Sequence, residues 1–85
     1  TEYTIASTSQ MLDAQQRNWC KEVVDAFEIN PDILCGIVQP GTIVGRLTDA
    51  LAEELGCGNI PVVAVTSHDT ASAVVSVPAE GSNYA

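Results

Sequence analysis

Pro61-Val62-Val63-Ala64-Val65 is an apolar run that stops at Thr66-Ser67-His68-Asp69-Thr70 and resumes as Ala71-Ser72-Ala73-Val74-Val75. The pattern predicts a strand, a sharp polar turn and a helix. The β-branched residues suit a strand buried on both faces, and the small residues after Asp69 suit a helix packed closely against it. Polar side chains at the carboxyl end of such a strand commonly face ligand. The turn holds the single histidine of the chain, an acid beside it and several hydroxyls, so the candidate site is placed there.

Working outward from this segment, Gly58-Asn59 leads into the strand. It is preceded by a helix through Ala50-Leu51-Ala52-Glu53-Glu54-Leu55, capped by Thr48 or Asp49 and ended by Gly56. Thr42-Ile43-Val44-Gly45-Arg46-Leu47 alternates and is β-branched, which predicts a strand, and Gln39-Pro40-Gly41 before it predicts a turn. Asn30-Pro31-Asp32 predicts a helical restart that runs through Ile33-Leu34-Cys35 to Gly36. Trp19, Val23, Val24, Ala26 and Phe27 recur at helical spacing, which predicts an amphipathic helix over Trp19 to Phe27 with Asn18 as its cap. Met11 to Ala14 reads as a short helix or ordered turn. The hydroxyl-rich stretch Thr1 to Gln10 favours extended or loop structure, its hydroxyls being either functional or turn-forming. Alternating strands and helices give an α/β class.

Eighty-five residues allow one small domain or a piece of a larger one. A hydrophobic content of 46% with only 5% aromatic means that any core depends on Val, Ile, Leu and Ala. The start at Thr1 and the ending Gly81-Ser82-Asn83-Tyr84-Ala85 read as a segment of a longer polypeptide or as a processed terminus, with Ala79 to Ala85 as a linker.

Eleven acids against three bases give a net charge of −8, which repels a nucleic-acid backbone and an anionic membrane alike. Arg17, Lys21 and Arg46 are scattered and form no phosphate-binding cluster. No apolar run is long enough to span a bilayer, so a soluble, cytoplasmic protein is expected. Cys20, Cys35 and Cys57 lack a Cys-x-x-Cys pair or a second histidine, so free thiols are expected rather than a disulfide framework or zinc site. The glycines form neither Gly-x-Gly-x-x-Gly nor a Walker-type loop.

Asp69, at the start of a helix, has two readings. Its carboxylate caps the helix by accepting backbone N–H bonds, or it serves as a general base held at a strand's end. One group can do both. His68 either binds a substrate hydroxyl or is satisfied within the turn, and Thr70 faces the same choice. Ser67-His68-Asp69 is not a hydrolytic triad, because adjacent residues point in different directions.

Thr1-Glu2-Tyr3-Thr4-Ile5-Ala6-Ser7-Thr8-Ser9-Gln10 and Ser67-His68-Asp69-Thr70-Ala71-Ser72-Ala73-Val74 resemble segments of the rhamnulokinases, within the FGGY carbohydrate kinases. Trp19, Pro40-Gly41-Thr42-Ile43-Val44-Gly45 and Leu51-Ala52-Glu53-Glu54-Leu55-Gly56 fall between them in the order such kinases show. The resemblance implies a fragment of an actin-like, ribonuclease-H-like ATPase fold, with residues 1–78 forming the C-terminal part of the first domain and 79–85 leading towards a second. It implies transfer of the ATP γ-phosphate to the 1-hydroxyl of L-rhamnulose, with Mg²⁺ neutralising the phosphates. Asp69 matches the family's proton acceptor, and His68 and Thr70 match its sugar-binding neighbours. The family's glycine turn for phosphate, its upstream sugar contacts and its second domain have no counterpart in these residues. The resemblance therefore implies that ATP and Mg²⁺ are held mainly by the remainder of a kinase chain, and that the fragment alone is inactive. Fuculose kinases carry a similar Ser-His-Asp-Thr, and Ala71-Ser72-Ala73-Val74-Val75 favours rhamnulose. The alternatives are a fuculose or xylulose kinase of the same family, and a non-enzymatic acidic interaction or structural module in which Asp69 only caps a helix.

Overall fold

The computed structural model describes residues 1–81. Helix α1 (Tyr3–Ala6) opens the chain and runs into a 3-10 turn at Ser7–Ser9. Strands β1 (Leu12–Asp13) and β2 (Asn18–Trp19) form a small antiparallel hairpin, followed by α2 (Lys21–Ala26) and a 3-10 turn at Pro31–Ile33. Strand β3 (Ile43–Arg46), helix α3 (Asp49–Leu55), strand β4 (Pro61–Val63) and helix α4 (Asp69–Val75) complete the order. Helices and small sheets agree with the α/β class.

Local chemistry accounts for most of the second half. Thr48 Oγ1 accepts the Leu51 N–H at 3.3 Å to open α3, and Gly56 closes it in the left-handed conformation at φ 67°, where a side chain would be strained. Asn30 accepts the Asp32 N–H at 3.0 Å, and Pro31 sits at the first position of the 3-10 turn. Gly41 takes φ 84° in the expected turn before β3.

Other expectations are corrected. The first ten residues form α1 and a 3-10 turn rather than extended structure, because the Glu2 side chain caps α1 by accepting the Thr4 and Ile5 N–H groups. Residues 12–13 are a strand rather than a helix or simple turn. Asp13 Oδ1 accepts the Gln15 and Gln16 N–H groups at 2.8 and 2.9 Å, reversing the chain so that Leu12 pairs with Trp19. Asn18 therefore lies in β2, and α2 opens two residues later than predicted, after Cys20, with no side-chain cap. The Pro31 turn ends at Ile33, since Leu34 is already extended. None of the three thiols is buried or paired; Cys35 is exposed.

The strand at the centre of the sequence argument also differs from expectation. It covers Pro61–Val63 and pairs antiparallel with β3, with Ile43 opposite Val63 and Gly45 opposite Val62. Neither face is buried: Ile43, Val44, Val62 and Val63 are all exposed. Neighbouring strand residues point to opposite faces, so this pair presents apolar side chains both above and below. Among the described residues, no layer covers either face.

Among the described residues, the buried apolar ones are only Ala6, Val24 and Ala52. The accessible surface is 6588 Å², against about 4,800 Å² for a compact folded monomer of this mass. The radius of gyration is 16.8 Å, against about 12 Å for a compact domain of this length. Both comparisons describe elements shaped for burial and not buried by one another. The 85-residue chain produced alone is therefore expected to bind a hydrophobic dye and to lose far-ultraviolet circular dichroism gradually on heating. A sharp cooperative transition without dye binding would overturn that reading.

Of the expected linker, Ala79 to Gly81 is exposed and irregular, while residues 82–85 lie outside the described residues. Among the described residues, no helix is long and apolar enough to cross a membrane.

Candidate functional site

The turn between β4 and α4 brings His68, Asp69 and Thr70 together at the first turn of α4. Its geometry is set from both sides. On the helix side, Ser72 Oγ donates to the Thr66 carbonyl at 2.6 Å, which spends its only hydrogen. The 2.7 Å contact between Thr66 Oγ1 and Ser72 Oγ is then a bond in which Thr66 donates. These two bonds fasten the turn to α4.

On the other side stands Glu2, 65 residues away in sequence and only 7% exposed. Its Oε1 accepts the Thr4 N–H at 2.8 Å. Its Oε2 accepts the Thr4 hydroxyl at 2.5 Å, the Ser67 N–H at 2.9 Å and, more weakly, the Ile5 N–H at 3.4 Å. Thr4 Oγ1, its hydrogen given to Glu2, accepts the His68 N–H at 3.2 Å. Two consecutive amides of the motif are thus held by one carboxylate and the hydroxyl it orients. Burial pushes the Glu2 carboxyl up, but the Thr4 hydroxyl together with the amides of Thr4, Ser67 and Ile5 outweighs it and holds the pKa at about 2 against an ordinary 4.5.

Asp69 is the first residue of α4, not its cap; the cap position belongs to His68, which makes no side-chain capping bond. Asp69 Oδ1 accepts the Thr70 N–H at 2.7 Å and lies 3.0 Å from His68 Nδ1, with the Thr70 hydroxyl at 3.4 Å. That contact places a proton on His68 Nδ1, since two bare acceptors would repel at 3.0 Å. The Thr70 N–H, then the nearby His68 ring, lower the Asp69 pKa below its ordinary value. The side chain is 95% exposed, and among the described residues no hydrogen bond reaches Oδ2. Asp69 therefore presents an ionised, open carboxylate oxygen at neutral pH, while its other oxygen is fixed.

The three predicted site residues are adjacent in space as in sequence. Glu2 and Thr4, which fasten them, were not predicted. Thr4 was noticed only as one of several hydroxyls, and Glu is an uncommon side-chain cap, so the Glu-x-Thr pattern gave a weak signal. An open cleft of about 240 Å³ between α2 and the Pro31 turn, lined by Trp19, Lys21, Val24, Asp25, Pro31 and Leu34, shares no residue with the motif. Its two charged side chains pair with each other.

Among the described residues, no group of three or more His, Cys, Asp or Glu side chains converges to hold a metal ion. The acidic side chains among the described residues therefore do not fit a Mg²⁺ ion.

Residues 1–76 match the N-terminal domain of the FGGY family of carbohydrate kinases. The chain belongs to that family. Among its relatives, a rhamnulokinase of Bacteroides thetaiotaomicron is 42% identical over 85 residues, all of this chain and 18% of its own length. A rhamnulokinase of Enterococcus faecalis is 37% identical over 84 residues, 99% of this chain and 17% of its own. A third, from Pectobacterium atrosepticum, is 40% identical over 84 residues, 99% of this chain and 16% of its own. This FGGY chain thus spans less than a fifth of the length of these relatives.

Because the folded Glu2 carboxyl titrates below its ordinary value, the stability it contributes is present above pH 4.5 and is lost as the pH falls towards 2. In an intact FGGY kinase carrying this chain, acid unfolding followed by circular dichroism should show a limb over that range that is shallower in Glu2→Gln. An identical limb in both proteins would contradict the Glu2 geometry.

Proposed function

We propose that this chain is the C-terminal part of the first domain of a kinase that transfers the γ-phosphate of ATP to the 1-hydroxyl of L-rhamnulose, with Asp69 as general base. The architecture would be actin-like and ribonuclease-H-like, with residues 79–85 leading to a second domain. The observation that carries the reading is the Asp69 carboxylate, 95% exposed at the first turn of α4, one oxygen fixed and the other open. Rhamnulokinases at 42% and 37% identity support the sugar assignment, and the Ala71-Ser72-Ala73-Val74-Val75 continuation favours it over L-fuculose or xylulose.

In this reaction the sugar 1-oxygen forms a bond to the γ-phosphorus as the bond from that phosphorus to the β–γ bridging oxygen breaks. The hydroxyl proton passes to Asp69 Oδ2, and ADP leaves. His68 and Thr70 hold sugar hydroxyls beside the carboxylate. Mg²⁺, when bound, neutralises phosphate charge; it and ATP are held by the remainder of the kinase chain, so the fragment alone is inactive. A depressed pKa makes Asp69 a weak base. In phosphoryl transfer the alignment of nucleophile and phosphorus outweighs basicity, so a fixed, ionised acceptor suffices. The protein works in the cytoplasm, where its nucleotide substrate is available.

Asp69→Asn in the intact kinase should lower sugar-dependent ADP release by about 10²–10⁴-fold. Its unfolding free energy should move by no more than about 0.5 kcal/mol, because asparagine keeps the shape and the exposed site. Offering L-rhamnulose, L-fuculose and D-xylulose separately with MgATP identifies the sugar. Unchanged turnover in the variant would remove Asp69 as base. No turnover with any sugar in wild type would favour a non-enzymatic module in which the motif is only a helix start.

A further inference from the structure

We infer that Glu2 and Thr4 together form a positioning latch for the phosphoryl-transfer motif, a role that rests on the kinase reading for its effect on rate but not for its existence. Glu2 is a buried carboxylate whose hydrogen bonds exceed what capping α1 requires. Capping uses the Thr4 and Ile5 N–H groups, whereas the bond to Ser67 N–H at 2.9 Å serves a segment 65 residues away. Thr4 repeats the pattern: its hydroxyl donates to Glu2 and accepts from His68 N–H at 3.2 Å. Each group is used in the one sense its chemistry allows, a carboxylate accepting only and a hydroxyl passing the bond on.

The consequence is directional. The amides of Ser67 and His68 immediately precede Asp69, so fixing both sets the angle at which α4 begins and the direction in which the Asp69 carboxylate points. Ser72 and Thr66 fix the same turn from the helix side, and together the two clamps leave the motif little freedom. Glu2 and Thr4 touch no substrate in this scheme; they act through Asp69 and His68. A displacement of about 1 Å in a reacting group can cost around 10²-fold in rate, which sets the scale of the effect.

Glutamine at position 2 has one acceptor oxygen where glutamate has two, and its NH₂ would face a donor, so Glu2→Gln must break the array at Thr4 or at Ser67. Thr4→Val removes the link to His68, and Thr4→Ser restores it. In the intact kinase, assayed well below its unfolding temperature, Glu2→Gln and Thr4→Val should each lower kcat by roughly 10- to 100-fold with KM for sugar changed less than about threefold. Thr4→Ser should return kcat to near wild type, and the double variant should lose no more than the worse single one, as expected of one unit. Hydrogen exchange at the Ser67 and His68 amides should accelerate at least tenfold in Glu2→Gln relative to amides of α3. That readout does not depend on catalysis, so a protein without sugar-dependent turnover would fail the kinase reading while exchange still decides the latch. Unchanged exchange at both amides, or a lowered unfolding temperature with unchanged kcat per folded molecule, would overturn the proposal.

Discussion

The structure depends on one ion held out of water. Burying a carboxylate is costly unless hydrogen bonds replace its hydration, and Glu2 meets that condition with the Thr4 hydroxyl and three backbone amides. The geometry also joins the start of the chain to two later segments. Residues 1–3 lie parallel beside 36–38, with Tyr3 N–H donating to the Val38 carbonyl and Val38 N–H to that of Thr1, both at 2.9 Å. Glu2 turns from that pairing towards the 66–68 segment. Three separated stretches are thereby tied by residues 1–4, through the backbone to 36–38 and through the Glu2 and Thr4 side chains to 67–68. With only Ala6, Val24 and Ala52 buried among the apolar residues described, hydrophobic packing does little of this work.

That inversion of the usual order has a physical origin in how the apolar residues are distributed. Ile43, Val44, Val62 and Val63 occupy both faces of β3 and β4, while Val74, Val75 and Val77 are exposed on and after α4. A two-stranded ribbon with apolar side chains above and below is marginal in water, and becomes stable only when each face meets another layer. The sequence is therefore matched to a larger sheet, which accords with a chain spanning less than a fifth of its relatives. The latch needs no such layers, since all its partners lie within the described residues.

Legibility followed the range of the interaction. Thr48, Gly56, Asn30 with Pro31, and the Gly41 turn act within four residues, and each does what its residue type predicts. The strand–turn–helix order around 67–70 was readable for the same reason: an apolar strand, a polar break and a run of small residues are local facts. Asn18 misled because a cap and a strand end look alike until its partner, Leu12 to Asp13, is known. The burial of β4 was misjudged because the residues predict what a strand is suited to, and covering it needs layers the described residues do not supply. Glu2 was missed because its main effect falls 65 residues away, a distance at which no spacing rule operates.

The same separation of scales explains why Asp69 and Glu2, both carboxylates with lowered pKa, are suited to different tasks. Glu2 is buried, with Oε1 accepting the Thr4 N–H and Oε2 accepting three donors, so protonating it weakens the bonds that hold the turn. Asp69 has one oxygen fixed by Thr70 and His68 and the other open to solvent, so a proton can arrive there while the group keeps its place. A base for the proposed transfer must be held still and yet remain reachable, two demands that conflict in a single fully bonded carboxylate. Assigning rigidity to a buried acid and its hydroxyl, and the proposed reactivity to an exposed acid one residue beyond the last amide they hold, at His68, resolves the conflict within one short segment.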